Sequence, residues 1–206
     1  MTDYKKLDLI IESFSFRYSH YYKNSKDKNM QSNDSQKLRA GSQFPDLQVQ
    51  MRDGEMQSLG KPENGHDWKL VVVYRGKHCP ICTKYLNQLE TVKTSFADAG
   101  VDIIAVSADS KQQLETHLEE LDINFPIAYG LTVEQMNTLG LYISDPRSEK
   151  ETDHPFAEPG VFVINAKGDI HIIDISNAPF ARPELESLAS GLSYIRGNDY
   201  PIRGTH

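Results

Sequence analysis

Apolar residues are unevenly spread along the chain, and their spacing divides it in two. Between residues 23 and 43 the only large apolar side chains are Met30 and Leu38, in a run of Lys, Asn, Ser, Asp and Gln. Such a stretch buries too little surface to offset the entropy of ordering it. Ahead of it, Leu7, Ile10, Ile11 and Phe14 recur at spacings of three and four, which predicts a short amphipathic helix. Residues 1–42 are therefore expected to form a largely flexible N-terminal extension, and residues 43–206 a single domain.

From Phe44-Pro45 onward the pattern is that of a packed domain. Leu47, Val49 and Met51 alternate and lead into Asp53-Gly54, a hairpin signal. Leu70 to Tyr74 is an unbroken apolar run, as in a strand buried on both faces. Pro80 to Ala99 carries Leu86, Leu89, Val92 and Phe96 on one helical face, with Gly100 as the stop. Val101 to Ser107 predicts a second buried strand, Ser110 to Leu121 a helix, and Phe125 to Ala128 a short strand. Thr132 to Leu139 predicts a short helix capped by Thr132. Ser144 to Glu158 is polar and irregular. Two strands, 160–164 and 169–175, flank a turn at Asn165 to Gly168, and Pro183 to Ile195 predicts a closing helix with proline in its first turn. Strands alternating with helices in this order imply an α/β fold, a central mixed sheet with helices on both faces.

Composition narrows the function. The 206 residues carry a net charge of −7 and their basic residues are scattered, which argues against a nucleic-acid partner. No apolar run reaches the ~18 residues of a membrane helix. Lys5 and Lys6 precede Leu7 to Ile11, but Asp8 and Glu12 interrupt any signal-peptide core. Two cysteines do not make a secreted disulfide scaffold, so a reducing cytoplasm is the expected compartment.

Those two cysteines stand in Tyr74-Arg75-Gly76-Lys77-His78-Cys79-Pro80-Ile81-Cys82, between a buried strand and a long helix. A thiol at a helix N-terminus faces unpaired N–H groups and the positive end of the macrodipole, which favour its thiolate. Arg75 and Lys77 add positive charge, and His78 adds more when protonated. Residues i and i+3 of one turn are close enough to form a disulfide. Cys79 is thus expected to attack and Cys82, deeper in the turn, to resolve. A structural zinc site needs four ligands, and no second metal-spaced pair is present; two inert buried cysteines are the other bland reading. No metal is expected.

The Cys-Pro-x-Cys segment resembles the thioredoxin superfamily. The wider pattern resembles the peroxiredoxin-like branch of the alkyl hydroperoxide reductase/thiol-specific antioxidant family. It is carried by Phe44-Pro45, the YRGxHCPxC block, Phe125-Pro126, Glu158-Pro159-Gly160 and Phe180-Ala181-Arg182-Pro183, over residues 43–204. The resemblance implies a thioredoxin-like fold without a prosthetic group, and a hydroperoxide or a protein disulfide as oxidant. It also implies a thioredoxin- or glutathione-type reductant and a homodimer. It implies a cis-proline at Pro159 beside the cysteines, whose backbone would pair with a substrate chain; an ordinary loop proline is the alternative. Arg182, in the loop after the last strand, is expected to return to the cysteines and bind an anion or polarise a peroxide; a plain surface arginine is the alternative.

Departures from the family are equally specific. The Thr or Ser three residues before the peroxidatic cysteine is Gly76 here, its proline is absent, and the family's arginine position holds Pro159. Thioredoxin's buried aspartate corresponds to Val73, which leaves Glu158 and His78 as candidate proton acceptors for Cys82. His20, His66, His117, His154, His171 and His206 share no spacing and receive no role; Trp68 is read as packing. The competing class is a redox-inactive binding module that uses the N-terminal arm or the 144–158 insertion.

Overall fold

The computed structural model describes residues 38–206; the expected helix near residues 7–14 and most of the polar tract lie outside the described residues. The elements are β1 (Gln48–Met51), β2 (Met56–Ser58), β3 (Trp68–Val73), α1 (Pro80–Asp98), β4 (Val101–Val106), α2 (Lys111–His117) and β5 (Ile127–Tyr129). They continue with α3 (Val133–Thr138), β6 (Ile143–Ser144), β7 (Phe156–Ala157), β8 (Gly160–Ile164), β9 (Ile170–Ile175) and α4 (Leu185–Gly197). Seven strands form one mixed sheet in the order β2-β1-β5-β4-β3-β8-β9, and β6 pairs with β7 separately.

The unbroken apolar strands are explained by two cores. Leu70, Val72 and Tyr74 meet Leu86, Leu89 and Phe96 of α1 and Leu185, Ala189 and Leu192 of α4 on one face. Val71 and Val73 meet Met136, Leu139 and Phe162 on the other. With both faces covered, period-2 alternation gives two apolar surfaces rather than one. The exception is Lys69, fully buried, which the β3–β4 register sets opposite Asp102. Its Nζ lies 2.6 Å from Asp102 Oδ2, and that oxygen also accepts the Glu63 N–H at 3.0 Å.

Three boundaries differ from expectation, each for a local reason. The chain joins the sheet before Phe44: Gly41 N–H donates to the Ile170 carbonyl, and Ile170 N–H to the Ser42 carbonyl, each at 2.8 Å. Helix α2 ends at His117 rather than Leu121, because the α1 side chain Asn87 takes over the next backbone groups. It donates to the Glu120 carbonyl and accepts from Asp122 N–H. Helix α4 begins after Glu184, whose carboxylate accepts the N–H groups of Glu186 and Ser187, so Pro183 precedes the cap instead of occupying the first turn. The polar 144–158 segment is bracketed at both ends by the β6–β7 pair.

The topology gathers one end of the sheet. Val73 pairs with Gly160, and Gly160 with Ile175. The loop leaving β3, the Glu158-Pro159 approach to β8 and the Ser176–Arg182 loop after β9 therefore converge.

Candidate redox site

Cys79 is the N-cap of α1, in extended backbone conformation, with Pro80 as the first helical residue and no acidic side chain in the first turn. Its Sγ accepts the Cys82 N–H at 3.2 Å. The two cysteines form a disulfide, their Cα atoms 5.2 Å apart. Neither is open to solvent: Cys79 is 3% exposed and Cys82 0%. A sulfur in this position receives a backbone N–H and the helix's positive end, both of which stabilise a thiolate on reduction.

The flanking charges are organised differently from the expectation. Arg75 lies over the Phe156 ring at 4.6 Å and pairs with Glu151 at 3.6 Å and Glu158 at 3.7 Å, so its charge is shared with two carboxylates. Glu151 is held down to about 2, chiefly by its hydrogen bonds from Arg147. His78 packs on Phe156 at 4.5 Å, and burial first, then Arg75, pushes it down to about 4. It is neutral near pH 7 and adds no positive charge to the motif. Glu158 is buried; its Oε1 accepts the Ser144 hydroxyl at 2.7 Å.

The peptide bond preceding Pro159 is trans, not the expected cis, which is the ordinary preference of such bonds. The backbone there is already engaged within the chain. Glu158 N–H donates to the Tyr142 carbonyl at 2.8 Å, and Ser176 N–H donates to the Pro159 carbonyl at 3.1 Å. Those two groups are not free to pair with an extended substrate chain.

Arg182 does return to the cysteines, but to the inner one. Its Nη2 lies 3.1 Å from Cys82 Sγ, and its Nη1 donates to the Pro179 carbonyl at 2.8 Å. The guanidinium stacks over Tyr85 at 4.9 Å, and the Tyr85 hydroxyl donates to the Pro183 carbonyl at 3.0 Å.

Several polar groups near the motif stand outside the residues that its sequence singles out. Asp109 is 1% exposed, and its Oδ2 accepts the Lys77 N–H at 2.7 Å. Burial raises its carboxyl above the ordinary range, opposed by that amide and by His154, whose Nε2 lies 3.7 Å from Oδ1. His117 is fully buried; its Nε2 is 2.9 Å from Thr83 Oγ1, and burial pushes it down to about 4. The spacings from the cysteines exceed any local motif. One signal was available: a Ser107–Asp109 polar pair where a buried parallel strand ends, the position at which α/β sheets gather functional groups.

A groove of about 680 Å³ flanks the motif, lined in part by Lys77, His78, Asp109, Gln113, Arg147 and Glu151. Among the described residues no group of three or more His, Cys, Asp or Glu side chains is arranged to hold a metal ion. Among them also, no helix is long and apolar enough to cross a membrane.

Comparison with known proteins bears on the family and the fold. The model of the AhpC/TSA family matches residues 40–173. A probable 1-Cys peroxiredoxin of Syntrichia ruralis is 20% identical over 129 residues, covering 60% of this chain and 58% of that protein. The chain thus spans less than two thirds of that curated relative. Among solved structures, a peroxiredoxin-like protein from Aquifex aeolicus superposes with a TM-score of 0.63 at 16% identity, over 77% of this chain and 88% of the other. A cysteine-to-serine mutant of peroxiredoxin 6 from Arenicola marina does so with a TM-score of 0.62 at 20% identity, over 77% and 74%.

Proposed function

The chain belongs to the AhpC/TSA family, and from that premise we propose that it is a thiol-dependent oxidoreductase cycling Cys79 and Cys82 between dithiol and disulfide. The observation that carries the reading is the bonded sulfur pair at the N-terminus of α1, next to a solvent groove.

With a hydroperoxide as oxidant, the Cys79 thiolate attacks the terminal peroxide oxygen. Cys79 becomes a sulfenic acid and the alkoxide takes a proton to leave as an alcohol. Cys82 then attacks that sulfur, forming the disulfide and releasing water. A thioredoxin- or glutathione-type dithiol or thiol returns both electrons by exchange through a mixed disulfide on Cys79. No cofactor enters, because sulfur carries both electrons. The Arg75–Glu158 pair ties the loop that carries Cys79 to the approach to β8, and His78 packs beside it on Phe156. The two-cysteine composition supports a cytoplasmic working compartment, and the family supports a homodimer.

A second oxidant, a protein disulfide, is favoured by one observation. The position from which a Thr or Ser would address a peroxide is Gly76, with the Asp109 carboxylate beside it. Free-thiol counts after hydrogen peroxide, set beside reduction of insulin disulfides, separate the two oxidants. Cys79→Ser abolishes both. If two sluggish thiols survive both treatments unchanged, the binding-module reading replaces this one.

A further inference from the structure

A half-buried guanidinium rests on a fully buried sulfur. Cys82 is 0% exposed, an environment that penalises a thiolate, and thioredoxin's buried aspartate is replaced by Val73. Yet Arg182 points Nη2 at Cys82 Sγ from 3.1 Å, while its other contacts fix its orientation: the Pro179 carbonyl and the Tyr85 ring. A disulfide sulfur is neutral and gains little from a guanidinium. A thiolate gains a charge-assisted hydrogen bond. The contact is therefore useful in the reduced and exchanging states.

We propose that Arg182 is a catalytic residue that holds Cys82 as its thiolate, so that the inner cysteine resolves without a proton acceptor and is the sulfur expelled on reduction. In the oxidative half, the Cys82 thiolate attacks the sulfur of Cys79 sulfenic acid, the S–O bond breaks and hydroxide leaves to take a proton. In the reductive half, a donor thiolate attacks Cys79, the Cys79–Cys82 bond breaks, and Cys82 departs as a thiolate already paired with Arg182. A second donor thiol then attacks the donor's sulfur, freeing Cys79. Arg182 stabilises the departing Cys82 sulfur, which directs the donor to the outer one.

The surrounding charges are consistent with this role. Arg182 is lowered to about 10, chiefly by burial, so it stays charged at neutral pH; Tyr85 and Glu158 act to raise it and Arg75 to lower it. Tyr85 is itself pushed up to about 12, chiefly by burial, with Asp174 and Glu184 adding to the effect, so it presents a neutral ring.

The inference rests on the redox reading of the pair, but its first test does not need activity. In Cys79→Ser protein, ultraviolet thiolate absorbance against pH reads Cys82 alone. The expected midpoint lies below the free-thiol value of about 8.5. Arg182→Met raises it by about one unit, a tenfold loss of thiolate near neutrality, and Arg182→Lys restores part of the shift. A midpoint at or above the free-thiol value in Cys79→Ser protein overturns the proposal, even if Arg182→Met fails to fold; so does a midpoint indifferent to residue 182. The second test treats the oxidised full chain with glutathione and maps the adduct by mass spectrometry. An adduct on Cys79 that spreads to Cys82 in Arg182→Met supports the assignment, and one on Cys82 in the unmodified chain refutes it. If peroxide and insulin assays fail while the titration holds, the redox reading falls and the ion pair stands.

Discussion

Asp109 leaves no room for a side chain at Gly76: a Cβ there would run into its Oδ1 and lie 3.0 Å from its Cγ. Gly76 also has φ of +129°, a conformation that side chains rarely adopt. The missing side chain is what lets a buried carboxylate reach the loop and accept the Lys77 N–H, two residues before Cys79. Restoring the family's residue with Gly76→Thr therefore does not restore its peroxide chemistry. It is expected to destabilise the fold by about 2–4 kcal/mol, combining backbone strain with the clash. Urea denaturation checks this. In a Gly76→Thr/Asp109→Gly double variant the clash is gone, so the two losses sum to more than the measured total.

Lys69 and Asp102 form the buried ion pair at the opposite end of β3 and β4. Lys69→Met leaves a buried, uncompensated carboxylate and is expected to cost about 3–5 kcal/mol. Adding Asp102→Leu recovers most of that loss, since an apolar pair needs no desolvation. Recovery of less than half in equilibrium unfolding would count against the ion pair as the origin.

Stability should fall on mild acidification. His78 and His117 are both held near 4 from an ordinary 6.5, chiefly by burial, so the native chain refuses protons that the unfolded chain takes up. Their contribution is complete above about 6.5 and is lost as pH drops toward 4, each adding a slope of at most about 1.4 kcal/mol per pH unit. Asp109, raised by burial, acts in the opposite sense at the acid end of that window. His117→Gln should flatten the decline between these limits in urea melts collected across pH. An unchanged profile would show that His117 takes up its proton equally in the folded and unfolded chains.

Tyr85 ties α1 to the loop that carries Arg182. Tyr85→Phe loses the bond to the Pro183 carbonyl, worth about 0.5–1.5 kcal/mol. Tyr85→Leu also loses the ring beneath the guanidinium, about 0.5–2 kcal/mol more. Stopped-flow disulfide formation should slow in Tyr85→Leu well beyond Tyr85→Phe. Equal rates would mean that the ring does not orient Arg182.

Much of the fold is legible in the sequence because it is local. The run Leu70–Tyr74, the Asp53-Gly54 turn and the Thr132 cap each encode their element within a few residues, and all three appear. Helix ends were less legible. Asn87 and Glu184 decide them through side-chain hydrogen bonds, one of them reaching across more than thirty residues.

By itself, the sequence determined the cysteine pair, since three residues and one helical turn fix its spacing and its place at the positive end of the helix. It also determined, through the order of the strands, that the loop containing Arg182 returns to the cysteines. Only the tertiary structure decided which sulfur Arg182 meets, that Asp109 occupies the space over Gly76, that His78 is neutral, and that the bond before Pro159 is trans. These depend on burial and on angstrom-scale approach between segments up to 100 residues apart. Periodicity says which face a side chain lies on, but not what it touches there.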